Sequence, residues 1–183
     1  LCAWVKFSRV GKDSSVSSSF TYFPSGATII DRCGSSATGY YIGVDGRDGS
    51  VVFGAPGVTG NVSGKHYLAF AFNFLPNTWY VVAGYQDANT RRIEVGRLGA
   101  GVIAGDGEAS ELTTGAMTDP ANEPLRVGYG PRGAFTGAIA YAIGASDGRA
   151  TSQNATMTTT RPTKLTGAIT DRFFVELRDG QGD

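Results

Sequence analysis

"LRVGYGPRGAFTGAIAYAIGAS", Leu125–Ser146, sets Gly128, Gly130 and Gly133 at the G-x-G-x-x-G spacing directly after a short apolar run. A dinucleotide-binding turn of that spacing needs a helix to start at the third glycine, because the helix N-terminus carries the partial positive charge that holds a pyrophosphate. The residues after Gly133 deny the helix. Phe135, Ile139, Tyr141 and Ile143 alternate with Thr136, Ala138, Ala140 and Ala142, and Gly137 interrupts any helical stripe. The period is two, as in a strand. No strand–helix–strand unit surrounds the stretch, and Asp147 comes too early to reach a ribose. The stretch therefore reads as a strand, a glycine turn with positive backbone dihedrals, and a second strand that forms a hairpin with the first. A large-residue face opposite an alanine face predicts one side in the core and the other either closely covered by loop, sheet or another subunit or simply exposed to solvent.

The same period runs outward through the chain. Short apolar segments separated by Gly, Asn, Asp, Pro and Ser predict strands at 1–7, 20–23, 28–31, 40–45, 50–54, 67–72, 79–85, 91–98, 125–127, 135–144 and 172–178. Asp/Gly signals in "YYIGVDGRDGSVVFGA" predict a hairpin with a short loop, and "YQDANTRRIEVG" repeats the arrangement around Asp87 and Asn89. No helix of useful length is expected. Residues 112–124, with Pro120 and Pro124, read as a long loop. The Thr-rich run 155–168 reads as an extended connector to the last strand.

The 183 residues suit one domain, with a sandwich over 1–150 and the connector and terminal strand over 151–183, in the same domain or against another subunit. Glycine is abundant at 27 residues and charged residues make up only 17%, a composition that suits an all-β protein with many turns. Sixteen basic residues balance sixteen acidic ones, so no net field recruits nucleic acid or an anionic membrane. No apolar run is long enough to span a bilayer as a helix. The chain starts at Leu1 inside a strand pattern, which reads as a piece of something longer. Cys2 and Cys33 either pair, if their strands are neighbours, or stay reduced and buried.

Catalytic constellations are not evident. His66 is the single histidine, so a Ser-His-Asp triad or a multi-histidine metal site has little to be built from. "TGNVSGKH", 59–66, fails as a phosphate loop because Thr59 replaces the first glycine and His66 the magnesium-binding hydroxyl. The carboxylates Asp45, Asp48, Asp87, Asp106, Glu108, Glu111, Asp119 and Glu123 read as turn and loop residues, with none paired on alternate residues of an apolar strand; a glycosidase needs two converging carboxylates, which folding could bring together but nothing in the sequence predicts. The chain is not expected to be an enzyme. Calcium accepts single carboxylates from separate loops, which makes Asp45, Asp48 and Asp87 candidates for Ca2+, although turn formation accounts for them more plainly. Aromatics beside turns can stack on sugar rings while Arg, Asn and Asp fix hydroxyls. By that logic Tyr40, Asp45, Tyr85, Asp87, Asn89, Tyr129 and Arg132 are the carbohydrate-binding candidates. Asn61-Val62-Ser63 and Asn154-Ala155-Thr156 match the glycosylation acceptor pattern.

The order of segments resembles the laminin G-like, concanavalin A-like jelly-roll superfamily. The resemblance is carried by "AWVKF" (3–7), "TIIDR" (28–32), "GYYIGVDGRDGSVVFGA" (39–55), "LPNTWYVVAGYQDANTRRIEVGRLGA" (75–100) and "PLRVGYGPRGAFTGAIAYAIGAS" (124–146), about four-fifths of the chain. It implies an antiparallel β-sandwich of two packed sheets that binds a glycan, a glycoprotein or other protein subunits through rim loops, often with calcium. Members are commonly modules of adhesive, extracellular or virus-particle proteins. An assembly role, as a homo-oligomer or a component of a virion fibre, is the alternative that the Thr-rich connector raises. Two departures stand out. Ala138-Ile139-Ala140 follows Gly137 where many relatives carry an acidic pair, and the Glu-x-Asp-x-Glu strand of the glucanases is missing, so the enzymatic branch is not implied.

Overall fold

The computed structural model describes residues 1–8, 24, 26–33, 38–87, 89–99, 102–118, 123–144 and 173–175; for 98–99, 102–106, 141–144 and 173–175 it describes the course of the backbone alone. Among these the regular structure is all β, in the order β1 (Cys2–Phe7), β2 (Gly26–Asp31), β3 (Tyr41–Asp45), β4 (Val51–Gly54), β5 (Val58–Gly60), β6 (Tyr67–Phe70), β7 (Trp79–Gln86), β8 (Thr90–Gly99), β9 (Val102–Gly115), β10 (Arg126–Val127), β11 (Tyr129–Gly130), β12 (Gly133–Ala134), β13 (Gly137–Gly144) and β14 (Phe173–Val175).

The strands build a seven-stranded antiparallel sheet in the order β14-β13-β1-β7-β8-β9-β5, a five-stranded one in the order β10-β2-β3-β4-β6, and the small pair β11-β12. The two large sheets pack face to face. Ala3, Val5 and Phe7 of β1, Tyr80 and Val82 of β7, Ile93 and Val95 of β8, and Ile139 of β13 meet Ile29, Ile30, Ile42, Val51 and Phe53 of the smaller sheet in one core. These positions recur at period two, as one buried face per strand requires, except in β2, where an irregularity between Thr28 and Ile30 puts the adjacent Ile29 and Ile30 both in the core. The sheets touch closely where Gly84 faces the Phe53 ring and Gly107 the Phe70 ring, and a Cβ at either glycine would overlap the aromatic carbons.

Three sequence expectations change. The strand β9 was not expected, because "VIAGDGEASELTTG" is short of β-branched and aromatic residues; pairing with every residue of β8 from Thr90 to Gly99 holds it. Residues 112–115, read as loop, continue that strand, so Glu108 and Glu111 lie on a strand and not in loops.

The Leu125–Ser146 stretch is also not a simple hairpin. Its first strand, β10, pairs with β2 in the five-stranded sheet, whereas β13 pairs with β1 in the seven-stranded sheet, so the stretch crosses between sheets with β11–β12 as a small hairpin on the way. A bulge falls in β13, where Val5 pairs with Ile139 but Trp4 with Tyr141. The extra residue breaks the alternation read from Phe135 to Ile143. The expected strand at 20–23 and the connector at 155–168 lie outside the described residues, while β14 joins the edge of the seven-stranded sheet beside β13.

Candidate functional site

The glycine-rich turn folds over the outer face of the five-stranded sheet and buries its arginine there. Gly128 and Gly133 have φ of 72° and 144°, backbone that favours glycine, and Gly133 lies directly against the Gly26 backbone. Gly26 N donates to Arg132 O at 3.0 Å. The Arg132 guanidinium then reaches Asp31 Oδ2 at 3.2 Å and Cys33 Sγ at 3.3 Å, and lies 4.8 Å from the Tyr41 ring centroid. Asp31 and Arg132 are both buried. Burial pushes the Cys33 thiol up to about 12 and raises the Tyr41 phenol well above its ordinary value; in both, the neighbouring Arg132 charge opposes the shift. Arg132, expected to meet a sugar at the surface, thus serves to dock the turn, while Tyr129 beside it is 67% exposed.

The β7–β8 turn gathers three of the other candidates. Asp87 Oδ1 accepts from Asn89 N at 2.8 Å and Thr90 N at 2.6 Å, and Tyr85 Oη donates to Asp87 Oδ2 at 3.3 Å. The Asn89 backbone donor leads the effects that hold the Asp87 carboxyl below its ordinary pKa. Gln86 Nε2 bridges Asp87 O, Thr90 O and Thr113 Oγ1, so the turn is tied to β9 as well. A few hydrogen bonds thereby bring Tyr85, Asp87 and Asn89 together on one rim.

Along the outer face next to this rim stands a polar row that sequence reasoning missed. Tyr85 pairs with Arg92 across β7–β8, Arg92 with Ser110 across β8–β9, and Glu94 with Glu108. Arg92 bridges both acids, through Nε to Glu94 Oε1 at 2.9 Å and through Nη2 to Glu108 Oε2. The signal was present in "RRIEV": with Ile93 and Val95 in the core, alternation sends Arg92 and Glu94 outward. It also sends Arg91 inward, where the buried guanidinium bonds Gln86 Oε1 at 3.0 Å, Glu111 Oε1 at 3.3 Å and Val58 O at 2.9 Å.

The remaining candidates stand apart from that rim. Asp45 is buried at the β3–β4 turn, where both of its oxygens accept from Arg47; that hydrogen bond, with the Asp45 charge, raises the Arg47 pKa. Asp48 Oδ1 accepts from Ser50 N at 2.8 Å, as a turn-forming aspartate does. Tyr40 is half-buried against the core, and His66 precedes β6 with its carbonyl accepting from Ala55 N. Asp45 and Asp48 share one turn and Asp87 belongs to another, in the other sheet; among the described residues no group of three His, Cys, Asp or Glu is placed to hold a metal ion. Compared with protein-family models, curated proteins and solved structures, the chain matches none.

Proposed function

We propose that the chain is a laminin G-like, concanavalin A-like jelly roll acting as a non-catalytic carbohydrate-recognition module, displayed outside a cell or on a virus particle. The observation that supports this reading is the rim at the β7–β8 turn, where Tyr85 offers a ring and Asp87 and Asn89 offer polar atoms on a braced backbone, continued by Arg92 on the sheet face. An aromatic platform flanked by fixed hydrogen-bonding groups is the chemistry of a shallow sugar site. Single shallow sites gain strength by multiplicity, so the test displays the domain in multimeric form on a broad glycan array, with calcium and then with chelator. Selective binding that Tyr85→Ala and Asp87→Ala each reduce at least tenfold supports the reading. Silence in both conditions overturns it, and sugar release from a polysaccharide would overturn the non-catalytic part.

One observation favours assembly as a second reading. Val62 is 93% exposed on the turn after the edge strand β5, and Leu112 and Met117 are exposed on and just beyond the neighbouring β9. Exposed apolar residues beside a short sheet edge suit a subunit contact. Under this reading the chain is an oligomer by light scattering, and Val62→Asp with Leu112→Asp shifts it to monomer.

A further inference from the structure

We infer that residues 128–134 form a hinged flap that opens as a local unit and gates access to the Cys33 thiol on the outer face of the five-stranded sheet. On either side of this segment the chain is held in the core, by Val127 before it and by Phe135 after it, the latter with its ring 4.8 Å from that of Phe7. The base is closed by Gly128 N to Ile29 O at 3.0 Å and Phe135 N to Gly128 O at 2.8 Å. Between these anchors the flap puts no apolar side chain into the core, since Tyr129, Pro131 and Ala134 are all exposed. Its docking rests on the Arg132 side chain, on Gly26 N to Arg132 O, and on the close seating of Gly130 against Asp31 and of Gly133 against Gly26.

Lifting the flap therefore leaves the apolar core intact, which is the condition for opening below the global unfolding free energy. Gly128 at the near end, with its positive φ, supplies a pivot that tolerates large dihedral change. What the lifted flap uncovers is set by Arg132, whose guanidinium contacts Cys33 Sγ directly. Cys2, buried with Val81 and Ala83 on the outer face of the other sheet, reports global opening in the same molecule. This inference does not depend on the carbohydrate reading.

The test labels the native protein with excess iodoacetamide at pH 8 and follows each cysteine by peptide mass spectrometry, over a series of urea concentrations below the unfolding transition. The expected result is that Cys33 is labelled at least tenfold faster than Cys2, at a rate nearly flat in urea, whereas the Cys2 rate climbs with urea. Arg132→Lys, which keeps the charge but loses the planar fork, is expected to speed Cys33 alone by about tenfold. Labelling of Cys33 at the Cys2 rate or slower in the unmodified chain overturns the inference, as does an Arg132→Lys variant that accelerates both thiols equally.

Discussion

Arg132 is the residue whose neighbours in the sequence say least about its surroundings. Pro131, Gly130 and Gly133 describe a surface turn, but the partner that decides its environment, Asp31, is 101 residues away. A buried ion pair is expensive to break from one side, because the charge left behind keeps its desolvation cost without its partner. Arg132→Met is therefore expected to destabilise the fold by about 3–5 kcal/mol in urea unfolding. The double variant Asp31→Leu with Arg132→Met should recover much of that loss, since it leaves no uncompensated charge. A double variant no more stable than the single one would mean that Asp31 is not the group left stranded. At this scale the sequence showed which residues make turns, Asp48 and Asp87 among them. It did not show that Asp45 and Arg132 are buried, because burial of a charge depends on groups that the fold brings up around it.

At the scale of the element, the β7–β8 hairpin was legible from "YQDANTRRIEVG", and its partner β9 was not. The first carries its own turn chemistry in Asp87 and Asn89, whereas β9 exists through its pairing with β8. Within the hairpin, Asp87 has a depressed pKa in the folded state, led by the Asn89 backbone donor. A carboxylate depressed on folding stabilises the fold fully above its unfolded pKa, close to the ordinary value of 3.8, and that contribution is lost as pH falls through the folded value. The stability difference between the unmodified chain and Asp87→Ala should therefore be constant from pH 7 to about pH 5 and shrink below about pH 4. Because Asp87 is exposed, solvent screening keeps the plateau under about 1 kcal/mol. Denaturant midpoints of both proteins across this range check it, and a difference that grows toward acid contradicts the assignment. The same hydrogen bonds orient Tyr85 and Asn89, so loss of glycan binding in Asp87→Ala would follow from a disordered rim as well as from a missing contact.

The whole molecule sorts its two cysteines onto the outer faces of different sheets, Cys2 with Val81 and Ala83, Cys33 with Tyr41 and Val52. The core between the sheets separates them, so intact mass should show both thiols free, with Cys2 reacting fully toward Ellman's reagent only on denaturation. Burial, which pushes each thiol up to about 12, slows both in the closed fold, because the thiolate is the reactive form. Alternating strands made two packed layers readable from the sequence; how closely they approach was not, since that depends on which glycine meets which ring. Gly84 lies against Phe53 across the layers, where an added methyl would overlap the ring. Gly84→Ala is accordingly expected to cost about 1–3 kcal/mol by overpacking, and Phe53→Ala about 3–5 kcal/mol by leaving a cavity. In the double variant the new methyl enters space that the ring has vacated, so the combined loss should fall short of the sum by at least about 1 kcal/mol. Simple additivity in equilibrium unfolding would show that the two layers do not meet at this pair.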